Sequence, residues 1–180
     1  VRFAVLDWGP TLLKESKGLP LDHAGWMVAA FEIAGVIGML AAGWVTDRIM
    51  KGRAPRTCVF CMAGTALFLF LFALLPATAP SCLMFATLIA AGFFIYGPQA
   101  LTGVTAANIS TKKLAGTSIG FTSLFSYAST TVSGVGLGAM AQHFGWDGAY
   151  VVVIGVALTG VFIFALLWNA KANAYDDLAE

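Results

Sequence analysis

Charged residues are scarce in this sequence. Only 11% of its 180 residues are Asp, Glu, Lys or Arg, whereas 59% are hydrophobic, and the mean hydropathy is +0.84. Soluble domains contain about 25% charged residues. There is no basic tract or basic stripe interleaved with aromatics, so no nucleic-acid partner is indicated. The composition excludes an ordinary soluble domain and predicts an integral membrane protein.

Cysteine is also scarce, and its pattern does not indicate a disulfide framework. Cys58 and Cys61 form a C-x-x-C pair inside an apolar run, residues 58–75, whereas metal and redox pairs occupy polar, accessible positions. We interpret them as small apolar helix residues and expect neither a metal nor a cofactor. His23 and His143 lie in predicted loops without a nearby ligand set. We therefore identify no catalytic residue, and a membrane enzyme or assembly factor is disfavoured.

No segment shows the alternating pattern of a transmembrane barrel strand, so the spans are predicted to be helices. A membrane helix needs about 20 mainly apolar residues. The predicted helical segments are residues 1–13, 24–46, 57–75, 81–107, 114–140 and 149–168. The first is too short to span, and neither a signal peptide nor an initiating Met precedes it. We expect a fragment that opens in the middle of a helix.

Basic residues are unevenly divided between the connections. The first loop contains Lys14 and Lys17, and the third and fifth loops contain no Lys or Arg. The second loop, the fourth loop and the tail contain Arg48, Lys51, Arg53, Arg56, Lys112, Lys113 and Lys171. The positive-inside rule places the second group in the cytoplasm. The first helix then runs outward, and the carboxy-terminal tail is cytoplasmic.

Three charged residues fall within the predicted spans: Arg2, Asp7 and Glu32. A charge at this depth costs about 3 kcal/mol on insertion scales and usually marks a transport pathway. Arg2 lies about 16 Å from the outer end of its helix and Glu32 about 12 Å into the second helix, so the three can share one layer. Arg2 is either a cation that binds an anionic substrate or half of a structural ion pair with Asp7 or another acid.

Small and polar residues mark other positions. Gly35-x-x-Gly38, Gly116-x-x-x-Gly120 and Gly134-x-x-x-Gly138 predict close helix approaches. The fifth segment is rich in hydroxyl groups and either lines a cavity or packs deep in a bundle. Pro98 interrupts the fourth segment, and Tyr96 just before it is expected to direct its hydroxyl toward a freed carbonyl or a ligand.

The second loop carries a recognisable motif. Gly43, Asp47, Arg48, Gly52 and Arg53 have the spacing G-x-x-x-D-R-x-x-x-G-R, which resembles the loop motif of the major facilitator superfamily. More specific resemblances occur in residues 2–15, 94–103, 112–117 and 145–148. Together they are similar to the organophosphate:phosphate antiporter family, over nearly the whole chain.

The resemblance implies an all-α membrane fold in which residues 1–180 form the carboxy-terminal half, helices seven to twelve, with the first helix truncated. The amino-terminal half would then be absent from this chain. Two such halves enclose a central site and rock to open it to either side. Each half would contribute one arginine to bind phosphate, so the second arginine would lie in the missing half.

The resemblance also assigns roles to residues. Arg2 matches the arginine that binds the phosphoryl group, and Tyr96 and Tyr127 match aromatic positions that line the site. Asp7 and Glu32 match acidic positions that pair with a basic residue of the other half and loosen or tighten with substrate. Hexose-phosphate members carry an acid and a lysine in the helix around Tyr127, whereas residues 127–138 here are uncharged, which argues against a hexose-phosphate carrier of that kind.

The expected function is therefore exchange of an organic phosphate, such as glycerol-3-phosphate or phosphoglycerate, for inorganic phosphate across a bacterial inner membrane. A membrane sensor of external sugar phosphates that signals to a partner kinase is the alternative within the same family. The expected partners are these two solutes, the lipid bilayer and the missing amino-terminal half.

Overall fold

The computed structural model describes residues 1–110 and 113–169. The helices are α1 (Arg2–Lys17), α2 (Leu21–Arg48), α3 (Ala54–Leu74), α4 (Ser81–Ile109) and α5 (Ala115–Leu166). Helices α2 to α5 are each long and apolar enough to cross a membrane, and no strand occurs in the described ranges. The predicted all-α fold is confirmed. Lys112 and the tail from residue 170, including Lys171, lie outside the described residues.

Helix α5 consists of two helices that meet at Gly145. The backbone of Gly145 has φ 71° and ψ 179°, a conformation essentially restricted to glycine. We call residues 115–144 the first arm and residues 146–166 the second arm. They correspond to the fifth and sixth predicted segments. The loop predicted between them, residues 141–148, is wrong, because the helical backbone continues on both sides of this single glycine.

Local signals set the other helix ends. Helix α1 extends past the predicted end to Lys17 and stops because Gly18 adopts the left-handed conformation, with φ 67°. Helix α2 begins directly after Pro20. Helix α3 begins at Ala54 with Pro55 in its first turn, where a missing N–H leaves no hydrogen bond unmade. Helix α4 continues through Pro98.

Glycines bring α2 against α4, as predicted. A Cβ on Gly38 would collide with the backbone carbonyl of Phe93, and a Cβ on Gly35 would collide with the ring of Tyr96. The same prediction is wrong for Gly116 and Gly120, because among the described residues nothing lies within 4 Å of the position that a Cβ would occupy on either glycine.

Helix α1 lies beside α2 and the first arm of α5. Trp8 donates a hydrogen bond from Nε1 to the Gly134 carbonyl oxygen at 2.9 Å, and Glu15 accepts one from Trp146 at 2.8 Å. Because Trp146 directly follows Gly145 at the end of the first arm, the two contacts advance in the same direction along both helices, and α1 and the first arm run parallel. We call the face with Gly18 and Gly145 the outer face and the face with residues 49–53 the inner face, after the predicted orientation.

The Gly38 contact gives a prediction for stability. We expect Gly38→Ala to destabilise the fold by about 1–3 kcal/mol, because the new methyl group must displace backbone rather than a side chain. Gly25→Ala is the matched control on α2, since nothing lies within 4 Å of its Cβ position. Thermal unfolding in detergent, followed by circular dichroism, measures the difference. Equal melting temperatures for the two variants would contradict the close approach.

Candidate functional site

Arg2 and Glu32 form an ion pair between α1 and α2. Nη2 of Arg2 donates to Oε2 of Glu32 at 3.0 Å, and the two side chains are 23% and 29% exposed. Within an apolar helix bundle, a charge persists only with a partner or access to water, and this pair has both. Sequence reasoning placed the two residues in one layer, and the structure brings them into contact.

Tyr96 on α4 completes the cluster. Its ring lies 4.2 Å from Cζ of Arg2, within the range of a cation–π contact, and its hydroxyl donates to Oε2 of Glu32. The hydroxyl was expected near a freed carbonyl or a ligand, and it binds the carboxylate instead. Gly35 makes this placement possible, because any side chain at that position of α2 would occupy the space of the Tyr96 ring.

The cluster leaves hydrogen-bonding capacity unused. Only Nη2 of the guanidinium contacts the carboxylate, so the pair lacks the two parallel hydrogen bonds that Arg and a carboxylate can form. Nε of Arg2 and Oε1 of Glu32 are both buried without a hydrogen-bond partner among the described residues. An unmade hydrogen bond at a buried group costs about 1–3 kcal/mol. An anion that reached Nε would satisfy a donor that the described residues leave unbonded.

Asp7 lies apart from this cluster. Its side chain is exposed, and Oδ2 lies 3.9 Å from the position that a Cβ on Gly134 would occupy. Within the described ranges, the acid that pairs with Arg2 is Glu32. Asp7 therefore faces the first arm of α5, five residues further out along α1 than Arg2.

Tyr127 lies at the depth of Arg2 without a recorded contact to it. Trp8 bonds to Gly134, and because the helices run parallel, Arg2 lies at the level of residue 128, about 9 Å below that bond. The Tyr127 side chain is 73% exposed. Tyr127 thus lies near the level of Arg2, and the residues that the structure describes leave most of its side chain uncovered.

Several hydroxyls of the first arm bond to their own helix. Thr122, Ser129, Thr130 and Ser133 donate to carbonyls three or four residues earlier at 2.7–3.0 Å. These hydroxyls are satisfied locally and do not require a partner helix. The polar composition that drew attention to this segment is therefore compatible with an exposed surface.

The loop motif forms an ordered turn at the inner face. Lys51 and Gly52 have positive φ values of 52° and 77°, and the buried Gly52 donates its N–H to the Thr46 carbonyl oxygen at 2.9 Å. The Thr46 hydroxyl donates to the Thr57 hydroxyl at 2.8 Å, which ties α2 to α3.

A cavity of about 380 Å³ lies beside this turn, between α2 and α4, and Gly43, Asp47 and Gly52 line part of it. Arg48 is exposed at the end of α2, and Arg53 lies directly before α3.

The sequence matches the family described as Major Facilitator Superfamily over residues 6–178. The chain belongs to the major facilitator superfamily. It is a multi-pass membrane protein, in keeping with the four helices long and apolar enough to span in the described ranges.

Relatives within the superfamily are named for organophosphates. The chain is 35% identical to a glycerol-3-phosphate transporter of Bacillus subtilis, over 97% of this chain and 39% of the relative. It is 40% identical to a probable hexose phosphate transport protein of Chlamydia muridarum, over 97% of this chain and 38% of that relative. It is also 36% identical to the membrane sensor protein UhpC of Escherichia coli, over 95% of this chain and 39% of that relative. The chain thus spans about two fifths of the length of these relatives.

The sequence did not reveal how this chain holds the Arg2 guanidinium in place, with the Tyr96 ring against it. In the sequence, Tyr96 was noted only as a tyrosine shortly before a proline. Gly35, which leaves room for the Tyr96 ring, was noted only as part of a pair of small residues. Only the packing of α2 on α4 shows that the two residues act together, because Gly35 lies directly against the Tyr96 ring. Within the part of the chain that the structure describes, no three His, Cys, Asp or Glu residues come together to hold a metal ion.

A double-mutant cycle can measure the coupling energy between Arg2 and Glu32. We expect Arg2→Gln and Glu32→Gln to show a coupling energy of about 0.5–3 kcal/mol in unfolding experiments, as for residues in direct contact. The matched cycle pairs Arg2→Gln with Asp7→Asn and should give a coupling near zero, because the structure records no contact between Arg2 and Asp7. A larger coupling with Asp7 than with Glu32 would contradict this geometry.

Proposed function

We propose that this chain is the carboxy-terminal half of a secondary transporter that exchanges an organic phosphate ester for inorganic phosphate across the bacterial inner membrane. The carrying observation is the guanidinium of Arg2, partly exposed within a helix bundle and with a donor left unbonded. The names of the relatives supply the class of substrate. No covalent step is needed, and residues 1–180 correspond to helices seven to twelve.

Arg2 is suited to phosphate by its chemistry. A guanidinium keeps its charge at any physiological pH and can donate two parallel hydrogen bonds to phosphoryl oxygens. In this proposal Glu32 neutralises Arg2 while the site is empty, and an arriving phosphate competes for the same donors. Tyr96 stacks on the guanidinium and holds Glu32, so it supports both states.

The remaining wall of the site comes from a second half. In our proposal, an amino-terminal six-helix half faces this one and contributes the other phosphate-binding arginine. Tyr127 lines the site from the first arm of α5. Asp7 and Glu32 form and release ion pairs with a basic residue of that half as the two halves rock between outward-open and inward-open states. The turn containing Gly43, Asp47, Arg48, Gly52 and Arg53 limits this rocking at the inner face.

Replacement of Arg2 tests the anchor. In the complete transporter, reconstituted in vesicles, we expect Arg2→Lys to lower phosphate exchange by about tenfold or more, because lysine keeps the charge but loses the fork. Uptake of radiolabelled phosphate into phosphate-loaded vesicles measures the rate. Arg56→Lys, at the inner end of α3 beside Trp168, is the control and should leave the KM for phosphate unchanged. Unchanged exchange in Arg2→Lys means that Arg2 is not the anchor.

Replacement of Glu32 tests whether its carboxylate competes with phosphate for the Arg2 guanidinium. Glu32→Gln removes the internal anion while preserving a side chain of similar size. We expect it to tighten phosphate binding by about tenfold, equivalent to about 1.4 kcal/mol, and to slow exchange because the bound state no longer has a competitor. Isothermal titration calorimetry gives the Kd, and vesicle uptake gives the rate. Weaker binding in this variant would argue that Glu32 helps to bind substrate.

A sensor is the second candidate, since one relative is named a membrane sensor. A sensor binds its ligand without moving it across the membrane. Binding of phosphate or glycerol-3-phosphate without flux in vesicles would therefore favour sensing. Flux that saturates with substrate favours transport.

A further inference from the structure

Lys17, the last residue of α1, is a buried cation that the proposed phosphate site does not use. It is only 7% exposed, whereas Lys14, one turn earlier on the same helix, is exposed. Lysine is almost never fully buried unless its ammonium group has partners. The burial of Lys17 therefore requires an explanation in terms of the groups around it.

The partners of Lys17 lie at the outer end of α3 and on the second arm of α5. Nζ donates a hydrogen bond to the carbonyl oxygen of Leu75, directly after the last residue of α3, where helix carbonyls lack partners and the helix dipole is negative. The rings of Phe72 and Tyr150 lie 5.4 Å and 5.8 Å from Nζ. Burial lowers the pKa of Lys17, and the negative charge of Asp147 opposes this effect.

The two residues before Lys17 extend the attachment. The Ser16 hydroxyl lies 3.2 Å from the Tyr150 hydroxyl, within hydrogen-bond distance, and the Glu15 carboxylate accepts the 2.8 Å bond from Trp146. We call Glu15, Ser16 and Lys17 the outer latch. Its members bond to two different elements, and Lys17 is the member that reaches the end of α3.

Backbone packing alone does not join α1 to α3. Among the described residues, no Cα atom of α1 lies within 8 Å of one in α3. A void of about 30 Å³ is enclosed by residues of α1, α3, α4 and α5, with Leu13, Leu69 and Phe72 in its lining. The side chain of Lys17 therefore supplies an attachment between α1 and the end of α3 that close backbone packing does not provide.

The inner end of α1 is held by other elements. Arg2 contacts Glu32 on α2 and Tyr96 on α4, whereas the outer latch contacts α3 and the second arm of α5. Between the two ends lies Pro10, which cannot donate the helical hydrogen bond to the Leu6 carbonyl oxygen. Helix α1 thus lacks one helical hydrogen bond between two ends that have different attachments, and Trp8 ties this middle part to Gly134.

We propose that Lys17 is a positioning residue for transport, which fixes the outer end of α1 to α3 and α5 so that movement of α1 on phosphate binding is confined to the part that carries Arg2. This rests on the proposed function, because the movement is that of substrate exchange. When Arg2 exchanges Glu32 for phosphate, α1 pivots about the latch instead of sliding as a whole.

The first test separates binding from turnover in the complete transporter. Lys17→Met preserves the apolar stem and removes the ammonium group. We expect its Kd for inorganic phosphate to stay within about twofold while its exchange rate falls by about tenfold, the loss associated with one strong hydrogen bond. Lys17→Arg should recover part of the rate. Lys14→Met is the matched control and should exchange like the unmodified protein, since its side chain is exposed.

A distance measurement tests the latch directly. Spin labels at Lys14→Cys and Thr78→Cys, both exposed, report the separation of the outer ends of α1 and α3, in a Cys82→Ser background. With Lys17 present, the distance distribution should stay narrow when phosphate is added. With Lys17→Met it should broaden.

Three outcomes would overturn the proposal: a normal exchange rate in Lys17→Met, equal loss of binding and exchange, or an unchanged distance distribution. Failure of the unmodified transporter to exchange phosphate would instead contradict the proposed function, while the distance comparison still decides whether Lys17 fixes the helix.

Discussion

A single guanidinium inside a bundle of apolar helices constrains much of this structure. Arg2 cannot lose its charge, so the fold must provide an opposing charge, a polarisable surface or a path to water. It provides all three, through Glu32, the Tyr96 ring and partial exposure of both charged side chains. The close packing of α2 on α4 serves the same end, because the gap at Gly35 brings the tyrosine beneath the cation.

This arrangement balances the charge without closing the site. Glu32 approaches one nitrogen of Arg2, so the geometry falls short of the strongest pair that these groups can form. A fully satisfied pair would be a better structural element and a poorer anion receptor. The buried, unbonded Nε and Oε1 atoms are therefore informative, since buried polar groups in folded proteins are nearly always paired.

The spans and the key cation could be predicted from sequence because each depends on one-dimensional information. Apolar runs report the helices directly, and a charge inside such a run is conspicuous. What could not be predicted depends on contacts between distant segments. The choice of Glu32 over Asp7 as the partner of Arg2 follows from helix packing, which residue spacing leaves open. The sharp break at Gly145 was hidden because the surrounding sequence, with His143, Trp146 and Asp147, looked like an ordinary polar loop.

The hydroxyls along the first arm of α5 have a chemical consequence. Thr122, Ser129, Thr130 and Ser133 have already given their hydrogens to backbone carbonyls, so they present oxygen lone pairs outward. A phosphoryl oxygen that met this surface would find acceptors facing acceptors, whereas an alcohol group could donate to them. At these four positions the first arm therefore favours contact with a hydrogen-bond donor over contact with an unprotonated oxygen.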